Sequence, residues 1–94
     1  MAKIAFFDIE GWEKTFLKKK LVKHELLFFK DSLTEENVGS CKDCQAIGVF
    51  IYSKISSKIL SKLPKLKLVT TLSTGFDHVD LKTCKNKGIS VCNV

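Results

Sequence analysis

Five short apolar runs, separated by stretches with helical character, constrain the fold of this 94-residue chain more than any other feature. We predict strands at these runs, which are residues 3–7, 25–29, 46–52, 66–72 and 89–92. Strands that are apolar on both faces and separated by helices indicate a parallel sheet that is covered on both sides. Because the crossovers between such strands are right-handed, the sequence predicts a doubly wound α/β fold.

The stretches between the runs predict four helices. They begin at or near residues 12, 33, 56 and 80. The first helix is predicted to be amphipathic, because apolar residues recur in it at helical spacing. These residues are Trp12, Phe16, Leu17 and Leu21. Gly88 follows the fourth helix and is typical of a left-handed helix terminus. The length of the chain suits one domain with one core.

The basic surplus is made of lysine alone. The chain carries sixteen Lys and no Arg, and its formal net charge is +6. Sequence-specific recognition of nucleic-acid bases depends largely on Arg, and so does bidentate hydrogen bonding to carboxylate or phosphate groups. Because the lysines are also scattered among apolar residues, we expect no nucleic-acid partner.

The sequence shows no sign of a membrane segment or a secretory leader. No run of 18 apolar residues occurs, and an acid interrupts the short apolar run at the N-terminus. We therefore expect a cytoplasmic protein with no membrane partner.

Four cysteines raise the question of a metal or redox site. Cys41 and Cys44 have C-x-x-C spacing, so they could form a redox pair or, with Cys84 and Cys92, a zinc site. The spacing of the second pair fits no common zinc motif, and the first pair lies late in a helical stretch rather than at a helix start. We predict free thiols and no metal.

A glycine turn after the fourth predicted strand is the candidate binding site. Gly75 lies where that strand should end, and backbone N–H groups in such a turn can hold an anion. Ligands of doubly wound sheets lie at the carboxyl ends of the strands, which places residues 8–11, 52–54 and 73–78 on one surface. If this turn needs a glycine, replacing Gly75 with alanine should cost on the order of 1 kcal/mol or more.

Two of the polar residues at this edge keep structural alternatives. Tyr52 is either a substrate contact or an aromatic ring packed at the strand end. His78 is either a ligand contact or a loop residue bonded to the backbone. Asp80 is interpreted as a helix cap rather than a catalytic acid.

Two blocks of sequence carry a family resemblance. One reads Ser-Thr-Gly-Phe-Asp-His-Val-Asp at residues 73–80, and the other reads Gly-Ile-Ser-Val-Cys-Asn-Val at residues 88–94. With residues 3–8, 49–53 and 63–69, they resemble the first part of a D-isomer-specific 2-hydroxyacid dehydrogenase of the D-lactate dehydrogenase kind. The resemblance implies a flavodoxin-like substrate domain, residues 1–94, truncated before the dinucleotide-binding Rossmann domain. One departure is Leu72, where many members carry Arg.

The resemblance also implies roles for particular residues. Backbone N–H groups of Thr74 and Gly75 would hold the substrate carboxylate, with Tyr52 near the substrate; His78 is a candidate substrate contact from its position at this edge alone. The full-length family uses NAD, but the glycines of this chain cannot form the G-x-G-x-x-G loop that binds it. The Arg and the Glu-assisted His of the family are also missing, so we assign no catalytic or cofactor-binding residue.

The sequence thus predicts a substrate-domain fragment of an NAD-dependent D-2-hydroxyacid oxidoreductase that is inactive alone. Its substrate would be a small 2-hydroxy or 2-keto acid once a complementing chain supplies the missing domain. The alternative is a stand-alone module on the same fold that binds a small anion or a protein. An apolar strip beside the fifth strand, residues 89–92, is expected to promote self-association.

Overall fold

Five parallel strands form one sheet in the order β2-β1-β3-β4-β5. The computed structural model describes residues 2–9, 11–50, 53–71 and 78–93. The strands are β1 Lys3–Phe6, β2 Glu25–Phe28, β3 Ala46–Val49, β4 Leu68–Thr71 and β5 Ser90–Asn93. The helices are α1 Gly11–Lys20, α2 Ser57–Ser61 and α3 Leu81–Asn86, with a 3₁₀ helix at Val38–Cys41. This strand order is the flavodoxin-like order, which confirms the predicted fold class.

One face of the sheet carries the main core. Three neighbouring strands each contribute a completely buried residue to this face: Ala5 of β1, Ile47 of β3 and Val69 of β4. They belong to one apolar cluster with side chains of the 3₁₀ helix, α2 and α3, among them Val38, Leu60 and Cys84. The three helical elements therefore cover this face together.

Helix α1 lies on the opposite face, over the β1–β2 side of the sheet. The Phe6 and Phe28 rings stack there with centroids 5.7 Å apart, and the Lys14 ammonium lies 5.7 Å from the Phe28 centroid. Phe6 also extends toward β3, where a Cβ added at Gly48 would lie 2.5 Å from its Cδ1 atom. The missing side chain of Gly48 therefore makes room for the Phe6 ring.

The second predicted helix is not sustained as an α-helix. Residues 34–37 form a turn, in which Thr34 N–H donates to Asn37 Oδ1 at 2.8 Å and Asn37 N–H donates to Thr34 Oγ1 at 3.3 Å. These reciprocal bonds have the pattern of a capping box, and the Val38 N–H donates to the Thr34 carbonyl at 3.0 Å, so one capped helical turn forms here. Only the single 3₁₀ helix follows, at Val38–Cys41.

Helix α1 forms as predicted, but its apolar residues divide between two directions. Leu17 and Leu21 are partly buried, whereas Trp12 is 73% exposed and Phe16 is 55% exposed. Consecutive residues of an α-helix differ by about 100° in direction, so Phe16 cannot share the inward position of Leu17. No helix of the described residues is both long and apolar enough to cross a membrane.

Strand β5 lies at the edge of the sheet, but the expected apolar strip is largely absent. Ile89 is buried in the main core, and Val91 packs against it. The exposed residues are Ser90 and Cys92. Alternation of side chains along the strand turns the apolar residues toward α3 and leaves the small residues outside.

Gly48→Ala should destabilise the protein by about 1–3 kcal/mol, because its new Cβ would overlap the packed Phe6 ring. Gly39→Ala is the matched control, since a Cβ there meets nothing within 4 Å. Chemical denaturation of both variants gives the comparison. Equal stability of the two variants would show that the Phe6–Gly48 contact does not constrain the sheet.

Candidate functional site

The carboxyl ends of β1 and β3 define the candidate site. These strands are neighbours, while β2 lies outside β1 and β4 lies outside β3, so the strand order reverses between them. A crevice opens at this reversal in doubly wound sheets and is their usual ligand site. Asp8 follows β1 and Ser53 follows β3 at this position.

Asp8 occupies an unusual backbone conformation. Its φ is 59°, and it is the only positive-φ residue other than glycine in the described part of the chain. Aspartate tolerates this left-handed region better than most residues, because its short side chain can form local hydrogen bonds. The Asp8 N–H donates to the Asp31 carbonyl at 3.2 Å, and the Ile9 N–H donates to the Phe29 carbonyl at 3.1 Å. The chain leaving β1 is thereby held against the chain leaving β2.

Two serines donate hydrogen bonds to the Asp8 carboxylate. Ser32 Oγ donates to Oδ1 at 2.7 Å, and Ser53 Oγ donates to Oδ2 at 3.3 Å. Ser53 is completely buried, and its oxygen also accepts the Leu33 N–H at 2.8 Å. We call Asp8, Ser32 and Ser53 the Asp8 cluster. It joins the segments that follow β1, β2 and β3.

The segments that follow β3 and β4 are joined by a short parallel bridge between Ile55 and Val79. The Ile55 N–H donates to the His78 carbonyl at 2.7 Å, and the Asp80 N–H donates to the Ile55 carbonyl at 2.8 Å. Beside the bridge is an open depression of about 280 Å³, lined by residues 54–56 and 78–80. The bridge therefore holds Ile55 against residues 78–80 at the carboxyl edge of the sheet.

Asp80 has the structural role that the sequence predicted. Its Oδ1 accepts the Thr83 N–H at 3.0 Å and its Oδ2 accepts the Thr83 hydroxyl at 2.9 Å, which caps α3. Hydrogen bonds from the Thr83 backbone and side chain lower the pKa of the Asp80 carboxyl below its usual value. The carboxylate therefore stays charged at neutral pH and stabilises the start of α3.

Of the four predicted site residues, His78 alone lies within the part of the chain that the structure describes. Tyr52, Thr74 and Gly75 lie outside the described residues, so their predicted roles stay predictions. His78 is partly buried and lines the depression beside the Ile55–Val79 bridge. Lys54 and Ser56 line it as well, on the β3 side.

The cysteines are free thiols, and three of them, Cys41, Cys44 and Cys84, are buried. Burial, reinforced by the neighbouring Cys44, raises the pKa of the Cys41 thiol to about 11. Burial also raises the pKa of Cys44 and of Cys84. Neutral buried thiols are poor nucleophiles and poor metal ligands, so these side chains serve the core.

The Asp8 cluster is the feature that the sequence interpretation missed. Residues 8–11 and 52–54 were expected at this edge, but the contact between Asp8 and Ser53 was not. The available signal was an aspartate directly after a strand at the switch point, because aspartate is enriched at positive φ. The partner serines could not be identified, since Ser53 is 45 positions away.

Comparison with known proteins identifies the family. The model of the D-isomer specific 2-hydroxyacid dehydrogenase catalytic domain matches residues 4–94. This chain belongs to that family.

Curated relatives and solved structures of the D-isomer specific 2-hydroxyacid dehydrogenase family agree with this assignment. A 2-hydroxyacid dehydrogenase homolog of Haemophilus influenzae is 31% identical over 98% of this chain and 29% of its own length. D-lactate dehydrogenase of Aquifex aeolicus, solved with NAD and lactic acid, is 34% identical with a TM-score of 0.89, over 97% of this chain and 27% of that one. The apo-structure of D-lactate dehydrogenase from Escherichia coli is 28% identical with a TM-score of 0.88, over 98% of this chain and 30% of that one. The chain thus spans less than a third of the length of these relatives.

Ser53→Ala should lower the free energy of unfolding by about 1–3 kcal/mol, because it leaves the buried Leu33 N–H without its acceptor. Ser53→Thr keeps an oxygen at this position, and exposed Ser40→Ala is the matched control. Thermal and denaturant unfolding measure the differences. A Ser53→Ala protein as stable as Ser40→Ala would show that the Asp8 cluster contributes nothing to the site's stability.

Proposed function

We propose that residues 1–94 form the substrate-binding domain of an NAD-dependent D-2-hydroxyacid dehydrogenase and do not transfer hydride on their own. The observation that carries this proposal is the family match across residues 4–94. The joined segments at the carboxyl edge support it, because they converge at the usual ligand position of this fold. We further place the protein in the cytoplasm.

The proposed ligand is a small 2-hydroxy or 2-keto acid. Its carboxylate would accept hydrogen bonds from the backbone N–H groups of Thr74 and Gly75, with Tyr52 and His78 beside it. Support for His78 comes from its place in the depression at the carboxyl edge. The chain contains no Arg, so among the residues that line this depression Lys54 is the cationic side chain that could pair with the carboxylate.

The residues of this chain do not fit NAD. Its glycines stand at 11, 39, 48, 75 and 88, and none of these spacings gives G-x-G-x-x-G. Gly48 lies within β3 under the Phe6 ring, and Gly88 ends α3 with a φ of 73°. We therefore propose that NAD binds a separate domain, supplied by the same protein or by a complementing chain, and we assign no catalytic residue here.

A stand-alone module that binds a small anion or another protein is the second candidate. The observation that favours it is the exposure of Trp12 and Phe16 on α1, which the substrate-domain role does not use. Reading the coding sequence beyond the Val94 codon separates the two candidates. A frame with G-x-G-x-x-G and a later catalytic His supports the dehydrogenase, and its absence supports the module.

The purified chain should show no NADH oxidation above the protein-free rate when pyruvate is added, because it lacks a dinucleotide loop and a catalytic Arg and His. A full-length D-lactate dehydrogenase is the positive control, and absorbance of NADH is the readout. Sustained turnover that copurifies with the chain through several columns would contradict the proposal.

A further inference from the structure

The outward side of α1 is the most conspicuous apolar surface in the described part of the chain. Four large hydrophobic side chains are exposed among the described residues: Leu81 in α3, and Trp12, Phe16 and Val22 in or just after α1. The helix has no fully buried residue. A tryptophan exposed to 73% is costly to leave in water and is enriched instead at protein interfaces.

Trp12 and Phe16 form a continuous apolar patch, because residues four apart lie on the same side of a helix. Lysines border the patch. The Lys20 ammonium lies 5.6 Å from the Phe16 ring centroid, and Lys19, three residues after Phe16, is exposed on the same side. We call Trp12, Phe16, Lys19 and Lys20 the outer face of α1.

We propose that the outer face of α1 binds an acidic peptide segment of a partner protein, one that carries bulky apolar side chains. The apolar side chains would cover Trp12 and Phe16, and the carboxylates would pair with Lys19 and Lys20. An aromatic centre with a charged rim is the common arrangement of protein interfaces. This proposal is independent of the dehydrogenase role, since it does not involve the carboxyl edge of the sheet.

Charge selects this partner over a second copy of the chain. Each copy carries a formal charge of +6, and face-to-face pairing would bring Lys19 and Lys20 of both copies together. Like charges across an interface oppose association, whereas an acidic partner gains from the same lysines.

The composition of the face also disfavours a membrane or a nucleic acid. A helix lying in a membrane surface needs a broad apolar side, and this face has only two bulky apolar residues. Leu17 and Leu21 are turned inward and cannot extend it. Nucleic-acid recognition relies heavily on Arg, and this chain has none.

Fluorescence of Trp12 tests the proposal directly, because it is the single tryptophan of the chain. The probe is a short synthetic amphipathic peptide with glutamates on one side and leucine and phenylalanine on the other. Titration of this peptide into the 94-residue chain should shift the Trp12 emission to the blue. Binding of the peptide should weaken as added salt shortens the electrostatic screening length from about 30 Å to about 3 Å. Peptides with lysine in place of glutamate, or alanine in place of the apolar residues, are the probe controls.

Variants of the chain show whether the peptide binds at the outer face of α1. Phe16→Ser and the double reversal Lys19→Glu with Lys20→Glu should each weaken peptide binding by about tenfold. The matched controls are Leu81→Ser, at an exposed apolar residue of α3, and Lys65→Glu with Lys67→Glu, at exposed lysines elsewhere. Circular dichroism checks that each variant folds, and the lysine reversal decides the matter if Phe16→Ser does not fold.

Several results would overturn the proposal. They are an unchanged Trp12 emission at saturating peptide, and equal losses in the control variants. A larger blue shift with phosphatidylserine vesicles or with single-stranded oligothymidylate would assign the face to a membrane or to nucleic acid. Sedimentation showing a dimer that Phe16→Ser dissociates would assign it to a second copy.

Discussion

The pairing of β1 with β3 is the constraint on which the rest of the structure depends. It joins Ile4, Ala5 and Phe6 to residues 46–48, more than 40 positions later in the chain. The two strands can pair at the normal distance between strands because Gly48 leaves room for the Phe6 ring. The same ring also stacks on Phe28 of β2. One aromatic ring thus links three neighbouring strands on the side opposite the main core.

The same pairing creates the candidate site. Because β1 and β3 are parallel neighbours, the segments that leave them emerge side by side at the reversal of strand order. The Asp8 cluster then joins the segments after β1, β2 and β3, and the parallel bridge joins Ile55 to Val79. The positive φ of Asp8 is accepted at this point because the carboxylate gains two hydroxyl donors. Segments that are already held together lose less entropy when a ligand binds, so these contacts would favour binding of the small acid proposed above.

Much of the fold could be predicted from the sequence, because strand and helix patterns are local and the crossover rule is general. Four of the five strands lie within the predicted runs, and β5 extends one residue past its run, to Asn93. The second predicted helix begins with a turn capped by Thr34 and Asn37 but continues only as the 3₁₀ helix Val38–Cys41. Helix α1 forms as predicted, but helical spacing groups Trp12 and Phe16 with Leu17 and Leu21 and cannot tell which of them meets the sheet.

The site was less predictable than the fold, because its contacts join distant parts of the chain. The carboxyl edge and the Asp80 cap followed from pattern and position, and the structure confirms the cap. The link from Asp8 to Ser53 depends on the tertiary structure alone. The family match, by contrast, could be foreseen from the blocks at residues 73–80 and 88–94.

Amide chemical-shift mapping with pyruvate tests most directly whether the carboxyl edge of this domain is a substrate site. The account predicts concentration-dependent shifts at Ser53, Ile55 and His78, with little change for α1, and much smaller shifts when acetate replaces pyruvate at equal ionic strength. Uniform small shifts, equal effects of acetate, or shifts confined to the lysine-rich α1 would contradict it.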